Sequence, residues 1–272
     1  MSEPLPDFRA PPVSETVLGI QFELLPKFTN GHAGRFWTEL GGDWTEAIDA
    51  PPLLPEMERF GKDRVWMQLG DMSKFTISTK PTSRLQIHNA AGDRMLQVQN
   101  GRLHYNWIGS RGVEYARYNT VRAEFLDKVD QFKGFLAKTG VGELRVNQWE
   151  VTYVNNLPAG SVWATPDQWN DVFSAQIALP ARLPNSRLES LAGVWTYEIE
   201  PQRGRLHVEI QHGRTSSTSM SQDLLVFRLT ARGPVSSGAK EFVTGLDLGH
   251  ETIVRSFKAL TSDTARKEWG EL

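Results

Sequence analysis

The stretch LRVNQWEVTYVNN, from Leu144 to Asn156, decides how the rest of the chain is interpreted. Its large apolar residues Trp149, Val151 and Tyr153 alternate with polar ones, so they point to one side of an extended chain. A period of two, carried by aromatic and β-branched residues, is typical of a strand with one buried face. The stretch therefore predicts a half-buried strand in the middle of the chain.

The start of the chain shows the same order of signals. Residues 15–25 (ETVLGIQFELL) form an extended apolar run that ends at Pro26. A helix with Phe36 and Trp37 on one face is predicted to follow. The central strand is likewise followed by a predicted helix near 166–176. We therefore interpret the chain as two copies of one unit, the second of which opens at 144–156.

Each predicted copy continues with a three-stranded antiparallel meander. The strands are predicted at 84–89, 95–99 and 103–107 in the first copy and at 191–200, 205–212 and 223–232 in the second. Asn100-Gly101 between two of them is a strong hairpin signal, because a type I′ turn needs positive φ at both positions. The meander predicts that each copy contributes an antiparallel sheet.

A long amphipathic helix closes each copy, at 116–138 and at 239–260. Apolar residues recur there at spacings of three and four, which favours a helix that packs on a sheet. The predicted fold class is α+β, with two pseudo-repeated βαβββα units and antiparallel sheets that are each covered by a long helix. This order of elements is similar to that of helix-grip folds, an analogy that carries no function.

The predicted units divide the chain into three parts. Residues 1–13 contain four prolines and are expected to form an extended N-terminal arm. The first unit is expected to cover 14–142 and the second 143–272, packed together as one compact body. Within the first unit, residues 43–60 are predicted to be an ordered connecting loop, and further strands are predicted at 64–69 and 75–79.

The composition excludes several kinds of function. The chain has 272 residues and no cysteine, which rules out thiolate chemistry, disulfides and cysteine metal sites. The formal net charge of −2 argues against general nucleic-acid binding, although a local patch of Arg84, Arg102, Arg111 and Arg117 stays possible. The N-terminus does not resemble a signal peptide, and no apolar run approaches the length of a membrane span. We expect a cytoplasmic protein without membrane association.

Polar side chains alternate along the meander strands and form a candidate recognition surface. Its members are Arg84, His88, Gln97, Arg102, His104, His207 and Glu209. Such a face could receive a protein partner or a polar ligand; the alternative is a face that is simply solvated, as antiparallel sheets commonly have. The three histidines lie on different strands without metal-ligand spacing, so neither a metal nor another cofactor is predicted.

His250 lies on the apolar stripe of the last predicted helix. The sequence HETIV from His250 to Val254 starts like a zinc-binding H-E-x-x-H motif, but a valine occupies the second ligand position. Two interpretations stay open for this residue. It is either a core histidine bonded to a strand backbone, or a catalytic acid or base in a cavity under the helix.

Four segments of the chain together resemble a known protein family. They are APPVSETVLGIQFELLPKFTN near the start, DAPPLLPEMERF, WEVTYVNNLPAG in the centre and LDLGHETIVRSFKALTSDTARKEWG near the end. The family comprises sporadically distributed, uncharacterised prokaryotic proteins of roughly similar length. The resemblance implies a bacterial, cytoplasmic protein and carries no established activity. Sporadic distribution is typical of genes that move between genomes, such as defence or toxin–antitoxin cargo.

The sequence favours a non-catalytic function. It contains no phosphate-binding loop, nucleophile elbow or dinucleotide fingerprint, and its strands present ample polar faces. We therefore expect a binding or interaction protein that recognises a protein partner or a small ligand. The alternative is a small-molecule enzyme with a cavity between the sheet and the C-terminal helix, in which His250 serves as acid or base.

Overall fold

The computed structural model describes residues 4–61, 83–109, 114–177, 183–199, 201–215, 221–236 and 241–272. Within these ranges the protein is an α+β structure built on one nine-stranded antiparallel sheet. The strands are β1 (Val13–Phe22), β2 (Trp44–Ala50), β3 (Arg84–Asn89), β4 (Arg94–Gln99), β5 (Arg102–Ile108), β6 (Val146–Pro158), β7 (Ala192–Ile199), β8 (Gly204–Arg214) and β9 (Asp223–Pro234). The α-helices are α1 (Asn30–Leu40), α2 (Tyr118–Thr139), α3 (Glu241–Leu260) and α4 (Asp263–Glu268).

The strand order across the sheet is β2-β3-β4-β5-β1-β6-β9-β8-β7. The centre is the antiparallel pair of β1 and β6, in which Thr16 faces Tyr153 and Gly19 faces Glu150. Whether the sheets of the two predicted units join was left open by the sequence. They are halves of one continuous sheet, and the opening strands of the two units form the junction.

The central strand predicted from the alternating stretch is confirmed as β6. Trp149, Val151 and Tyr153 are buried on the side of the sheet that carries the helices. The strand extends to Pro158, beyond the alternating stretch, because β9 pairs with it along this length. The pattern of two therefore identified the strand and its apolar face. The prediction that only one face is buried is wrong, because Gln148, Glu150 and Thr152 on the opposite face are buried as well.

Helices α2 and α3 lie on the same face of the sheet. Helix α2 packs on β5 and β1, and α3 packs mainly on β6 and β9, so the core forms between one sheet face and the two helices. The predicted apolar stripe of α2 is buried at Val121, Phe125, Val129, Phe132, Phe135 and Leu136. That of α3 is buried at Phe242, Leu246, Ile253, Phe257 and Leu260, while Val254 stays partly exposed.

Two glycines of α3 let the helix approach β6 closely. A Cβ atom at Gly245 would lie 2.2 Å from Cδ1 of Trp149, and one at Gly249 would lie 2.7 Å from Cζ3 of the same ring. Real Cβ atoms do not reach such distances, so the indole ring occupies the space that two missing side chains leave. The small residues therefore set how closely α3 packs on the sheet.

Two predictions for the connections are wrong. Residues 44–50, predicted to lie in a loop, form the edge strand β2, which exists because it pairs with β3 rather than because it has a buried face of its own. The helix predicted near 166–176 is a short 3-10 helix at Pro166–Asp171, after which Phe173 forms a bridge with Thr261. The strands predicted at 64–69 and 75–79 lie outside the described residues.

None of the helices in the described ranges is both long enough and apolar enough to cross a membrane.

The close approach of α3 yields a first prediction. We expect Gly245→Ala to lower the free energy of unfolding by about 1–3 kcal/mol, because the added methyl group overlaps the Trp149 ring in a packed core. Urea denaturation followed by tryptophan fluorescence measures the change. The matched control is Gly134→Ala in the middle of α2, where an added Cβ meets no atom within 4 Å. There the gain in helix propensity predicts a stabilisation of about 0.5–1 kcal/mol, and equal losses at both sites would contradict the packing argument.

Candidate functional site

The candidate recognition residues share the sheet face opposite the helices. One row of directly paired residues crosses this face from β3 to β8: Gln86, Gln97, His104, Gly19, Glu150, Arg232 and Arg205. A neighbouring row, formed by Gln99, Arg102, Gln21 and Gln148, runs parallel to it across β4, β5, β1 and β6. We call this side of the sheet the polar face.

The polar face is not the solvated surface that the sequence left as an alternative. Residues 51–60, which we call the crossing segment, lie over it and run across the strands. Beneath this segment Gln148 is 0% exposed and Arg102 is 6% exposed. Many of the polar side chains are therefore covered by the chain itself.

Three glutamine side chains bind the backbone of the crossing segment. Gln99 accepts a hydrogen bond from the amide of Leu53 and donates one to its carbonyl oxygen, both at 2.9 Å. Gln21 bonds both backbone groups of Glu56 in the same way. Each side-chain amide thus imitates the edge of a neighbouring strand.

The contacts continue on either side. Gln148 accepts from the amide of Glu58 at 2.8 Å and donates to the carbonyl of Glu56 at 2.6 Å. Arg102 donates to the carbonyl of Leu54 at 2.7 Å. The segment therefore meets β4, β5, β1 and β6 in turn, moving one or two residues per strand. An extended chain needs one or two residues to cross each strand, because strands are about 4.8 Å apart and an extended chain rises about 3.3 Å per residue.

Glu58 anchors the far end of the crossing segment. Its carboxylate, 7% exposed, accepts hydrogen bonds from Arg205, from Arg232 and from Nε2 of His207, the last at 2.7 Å. Burial on its own raises the pKa of this carboxyl, but the bonds to His207 and Arg205 outweigh it and lower the pKa. Arg232 also pairs with Glu56, so both acidic residues of the segment meet cationic side chains.

A second set of titratable groups, Glu150 and His104, is buried at the centre of the polar face. Glu150 lies beside β1, where Gly19 carries no side chain, and its Oε1 is 4.0 Å from Nε2 of His104. Burial raises the pKa of Glu150, and burial together with Arg102 and Arg84 lowers the pKa of His104 to about 3. His104 is therefore neutral at physiological pH, and its Nε2 makes no hydrogen bond within the described part of the chain.

The predicted site residues thus take different roles on this face. Arg102 and His207 hold the crossing segment, and Gln97 donates to Asn106, which in turn donates to Glu15. Glu209, two residues after His207 on β8, forms an exposed ion pair with Arg228. Arg84 and His88 lie on the same face on β3, at intermediate burial.

Sequence reasoning missed the residues that matter most here: Gln21, Gln148, Glu58, Arg205 and Arg232. Gln21 and Gln148 alternate with buried apolar neighbours, which is the same signal that solvated residues produce. Glu58 lies in a stretch with no period at all. No local signal in the sequence therefore distinguishes these residues from solvated ones.

A separate cavity lies on the helix side of the sheet. It has a volume of about 450 Å³ and opens between the N-terminal arm, the start of α2, the middle of α3 and β6. Its lining includes Tyr115, Tyr118, Tyr153, His250, Val254 and Phe257. We call it the aromatic pocket.

His250 lies in the wall of the aromatic pocket and fits neither of the two interpretations completely. Its Nδ1 is 2.8 Å from the hydroxyl of Tyr153, so its partner is a side chain and not a strand backbone. The imidazole also stacks on the ring of Tyr118, with centroids 3.9 Å apart and planes inclined by 3°. The residue is partly exposed and faces the cavity, as the enzyme alternative required.

His250, Tyr153 and Tyr118 in the wall of the pocket are neutral at physiological pH. Burial lowers the pKa of His250 to about 4, against the opposing influence of Asp247 and Glu251. Burial also raises the pKa of Tyr153 and of Tyr118, and the bond from Tyr118 to Asp247 raises the latter further. The pocket therefore offers aromatic surface and uncharged hydrogen-bonding groups.

The N-terminal arm forms the outer wall of the pocket. It is held by the end of the chain, since Arg9 and Ala10 donate backbone hydrogen bonds to Gly270 and Trp269. Phe8 packs edge-on against Phe257 of α3 at 5.5 Å. Arg117, just before α2, pairs with Asp7 of the arm, which neutralises the charges at the rim.

The candidate nucleic-acid patch is not assembled. Arg84 and Arg102 lie on the polar face, whereas Arg117 lies beside the aromatic pocket on the opposite side of the sheet. Arg111 lies outside the described residues. No three histidine, aspartate or glutamate side chains of the described ranges converge as metal ligands.

No protein-family model, curated protein or solved structure matches this chain. The two sites are therefore interpreted from their own geometry.

Because Glu58 anchors the crossing segment, we expect its substitution to destabilise the protein more than substitution of an exposed glutamate on the same face. We expect Glu58→Gln to lower the free energy of unfolding by about 3 kcal/mol at neutral pH, because it leaves buried cationic groups without their carboxylate. The control is Glu209→Gln, since its exposed pair with Arg228 contributes about 0.2–1 kcal/mol. Chemical denaturation at pH 7 and pH 4 compares the variants. The folded-state pKa of Glu58 is depressed, so its contribution exists above the unfolded pKa and shrinks as the pH falls through the folded value.

For Glu150 we expect a contribution to the free energy of unfolding that depends on pH in the opposite direction to that of Glu58. Its pKa is raised in the folded state, so its stabilising contribution is complete at low pH and is lost as the pH rises through the folded value. We expect Glu150→Gln to stabilise the protein at pH 8 and to have little effect at pH 4. Thermal melts of the variant and the wild type at both pH values measure this difference, and a variant that is less stable than the wild type at pH 8 would show that the charged form is favoured.

Proposed function

We propose that the protein is a non-catalytic binding protein that holds a small, largely aromatic and uncharged ligand in the aromatic pocket. The observation that carries this proposal is the cavity itself, about 450 Å³ in volume, in which Tyr153 and His250 present polar atoms among aromatic rings. Small-molecule sites commonly have volumes of a few hundred Å³ and a few placed polar groups in apolar walls.

The chemistry of the walls indicates the class of ligand. The rings of Tyr118 and His250 are already stacked, and a planar ligand can extend such a stack at the usual separation of aromatic pairs. A charged ligand would have to leave water without a free counter-charge, because Arg117 and Asp7 neutralise each other. An uncharged ligand that donates or accepts one or two hydrogen bonds fits best.

The alternative function is a small-molecule enzyme that uses His250 as acid or base, and the position of His250 in the cavity wall supports it. Its pKa of about 4 argues against this role at neutral pH, because general acid–base catalysis is most effective when the pKa lies near the working pH. Tyr153, whose pKa is raised by burial, keeps its proton at neutral pH and is a poor general acid. These protonation states favour recognition over proton transfer.

We also propose that the two halves of the chain are copies of one unit of the helix-grip type. Supporting this, β3-β4-β5-β1 and β7-β8-β9-β6 have the same order of elements, and α2 and α3 close them in turn. Among the described residues of the second half, strand β2 has no counterpart. The bacterial and cytoplasmic setting, and a place in mobile defence or toxin–antitoxin cargo, are predictions that rest on the family resemblance alone.

The pocket can be tested with an uncharged aromatic probe. We expect N-phenyl-1-naphthylamine to bind the wild type saturably, with a rise in its fluorescence. Val254→Trp should weaken this binding at least tenfold, because the indole would fill the cavity that Val254 lines. Native mass spectrometry of the protein from its host would identify any retained small molecule.

A substitution on the same helix provides the control. Val243→Trp places the same side chain at a different groove, the larger one of about 900 Å³ between α2 and α3. It should leave probe binding unchanged. Equal weakening by both variants, or no saturable binding to the wild type, would contradict the proposal.

A further inference from the structure

The polar face holds the crossing segment in the way that a receptor holds a peptide. The amides of Leu53, Glu56 and Glu58 donate to the side chains of Gln99, Gln21 and Gln148. The same three glutamines donate back to carbonyl groups of the segment. Main-chain recognition of this kind provides affinity without reading side chains, as in binding by strand addition.

The side chains of the crossing segment that the polar face binds are acidic. Glu58 meets Arg205, Arg232 and His207, and Glu56 also meets Arg232. Met57, between the two glutamates, is 39% exposed, and Leu54, which precedes them, is 72% exposed. The face therefore selects two carboxylates that are two residues apart and does not enclose the side chain between them.

Hydrogen bonds and ion pairs hold the segment in place, together with the ring of Phe60, whose centroid lies 4.4 Å from Cζ of Arg205. The hydrophobic core lies on the other face of the sheet, and residues 51–60 belong neither to it nor to the apolar side chains packed against it. Replacing the segment by a chain with the same backbone and carboxylates would therefore expose no core. Exchange of equivalent hydrogen bonds and ion pairs carries a small net free-energy change.

We propose that the polar face is a binding surface for an extended acidic segment of a partner protein, and that residues 51–60 are its built-in occupant. Numbered from Leu53 to Arg59, the bound pattern covers seven residues with glutamate at positions four and six. Positions one, four and six need a backbone N–H and so cannot be proline, whereas position three is Pro55 in the chain's own segment. This surface is separate from the aromatic pocket, so the two proposals stand or fall independently.

Binding of the segment as a free peptide tests the proposal. The probe is a fluorescently labelled peptide PPLLPEMERF, the sequence of residues 51–60. The receptor is the full chain with Glu56→Gln and Glu58→Gln, whose own segment has lost its carboxylates. We expect anisotropy titration to show saturable binding at least tenfold tighter than to the wild type, where the surface is occupied.

Three altered peptides define what is recognised. A peptide with glutamine at both glutamate positions should bind at least tenfold more weakly. N-methylation of the Glu58 amide should abolish binding, since that N–H bonds Gln148, whereas N-methylation at Met57 should not. A folded double variant that does not bind the unmodified peptide, or that binds all four peptides equally, would overturn the proposal.

Hydrogen exchange of the wild type gives an answer even if the double variant does not fold. The proposal requires the crossing segment to leave the sheet without global unfolding. The amides of Leu53, Glu56 and Glu58 should therefore exchange at least tenfold faster than those of Leu18 and Val151 at the centre of the sheet. Equal rates would mean that the segment leaves only when the whole protein unfolds, and would overturn the proposal.

Discussion

The pairing of β1 with β6 is the interaction on which the rest of the structure depends. It joins two antiparallel half-sheets into one surface of nine strands. On one side this brings α2 and α3 next to each other, and the aromatic pocket forms where Tyr118 of one helix meets His250 of the other. On the other side it aligns Gln21 with Gln148, so that a single segment of chain can bridge both halves.

The alternation in the sequence predicted which residues share a face, because side chains of a strand point to opposite sides in turn. It predicted β6 and the meander strands, and it grouped Arg102, His104 and His207 on one side of the sheet. Apolar spacings of three and four predicted the buried stripes of both long helices. It could not say what covers that side. A glutamine that faces water and a glutamine that faces another segment of chain produce the same pattern. Only the pairing register of β4, β5, β1 and β6 shows that Gln99, Gln21 and Gln148 lie in one row under the crossing segment.

The features that were missed depend on long-range pairing. Strand β2 has little apolar surface and exists as the edge partner of β3. Glu58 is separated by about 150 residues from Arg205 and His207, and no local signal connects them. His250 was recognised as unusual from its place on an apolar stripe, but its partner Tyr153 belongs to a strand about 100 residues earlier. Chemistry that is assembled across the sheet in this way is not visible in any window of sequence.

The direction of the crossing segment has a mechanical consequence. In a sheet, the ladder hydrogen bonds join each strand only to its neighbours, so slippage of one strand past the next breaks a single ladder. A segment that lies across the strands links several of them to one another at the same time. Gln99, Gln21 and Gln148 all hydrogen-bond one continuous backbone. A shift of β1 relative to β6 would therefore also strain the backbone between Glu56 and Glu58. The protein thus gains stiffness against shear at its central junction from ten residues that contribute nothing to its hydrophobic core.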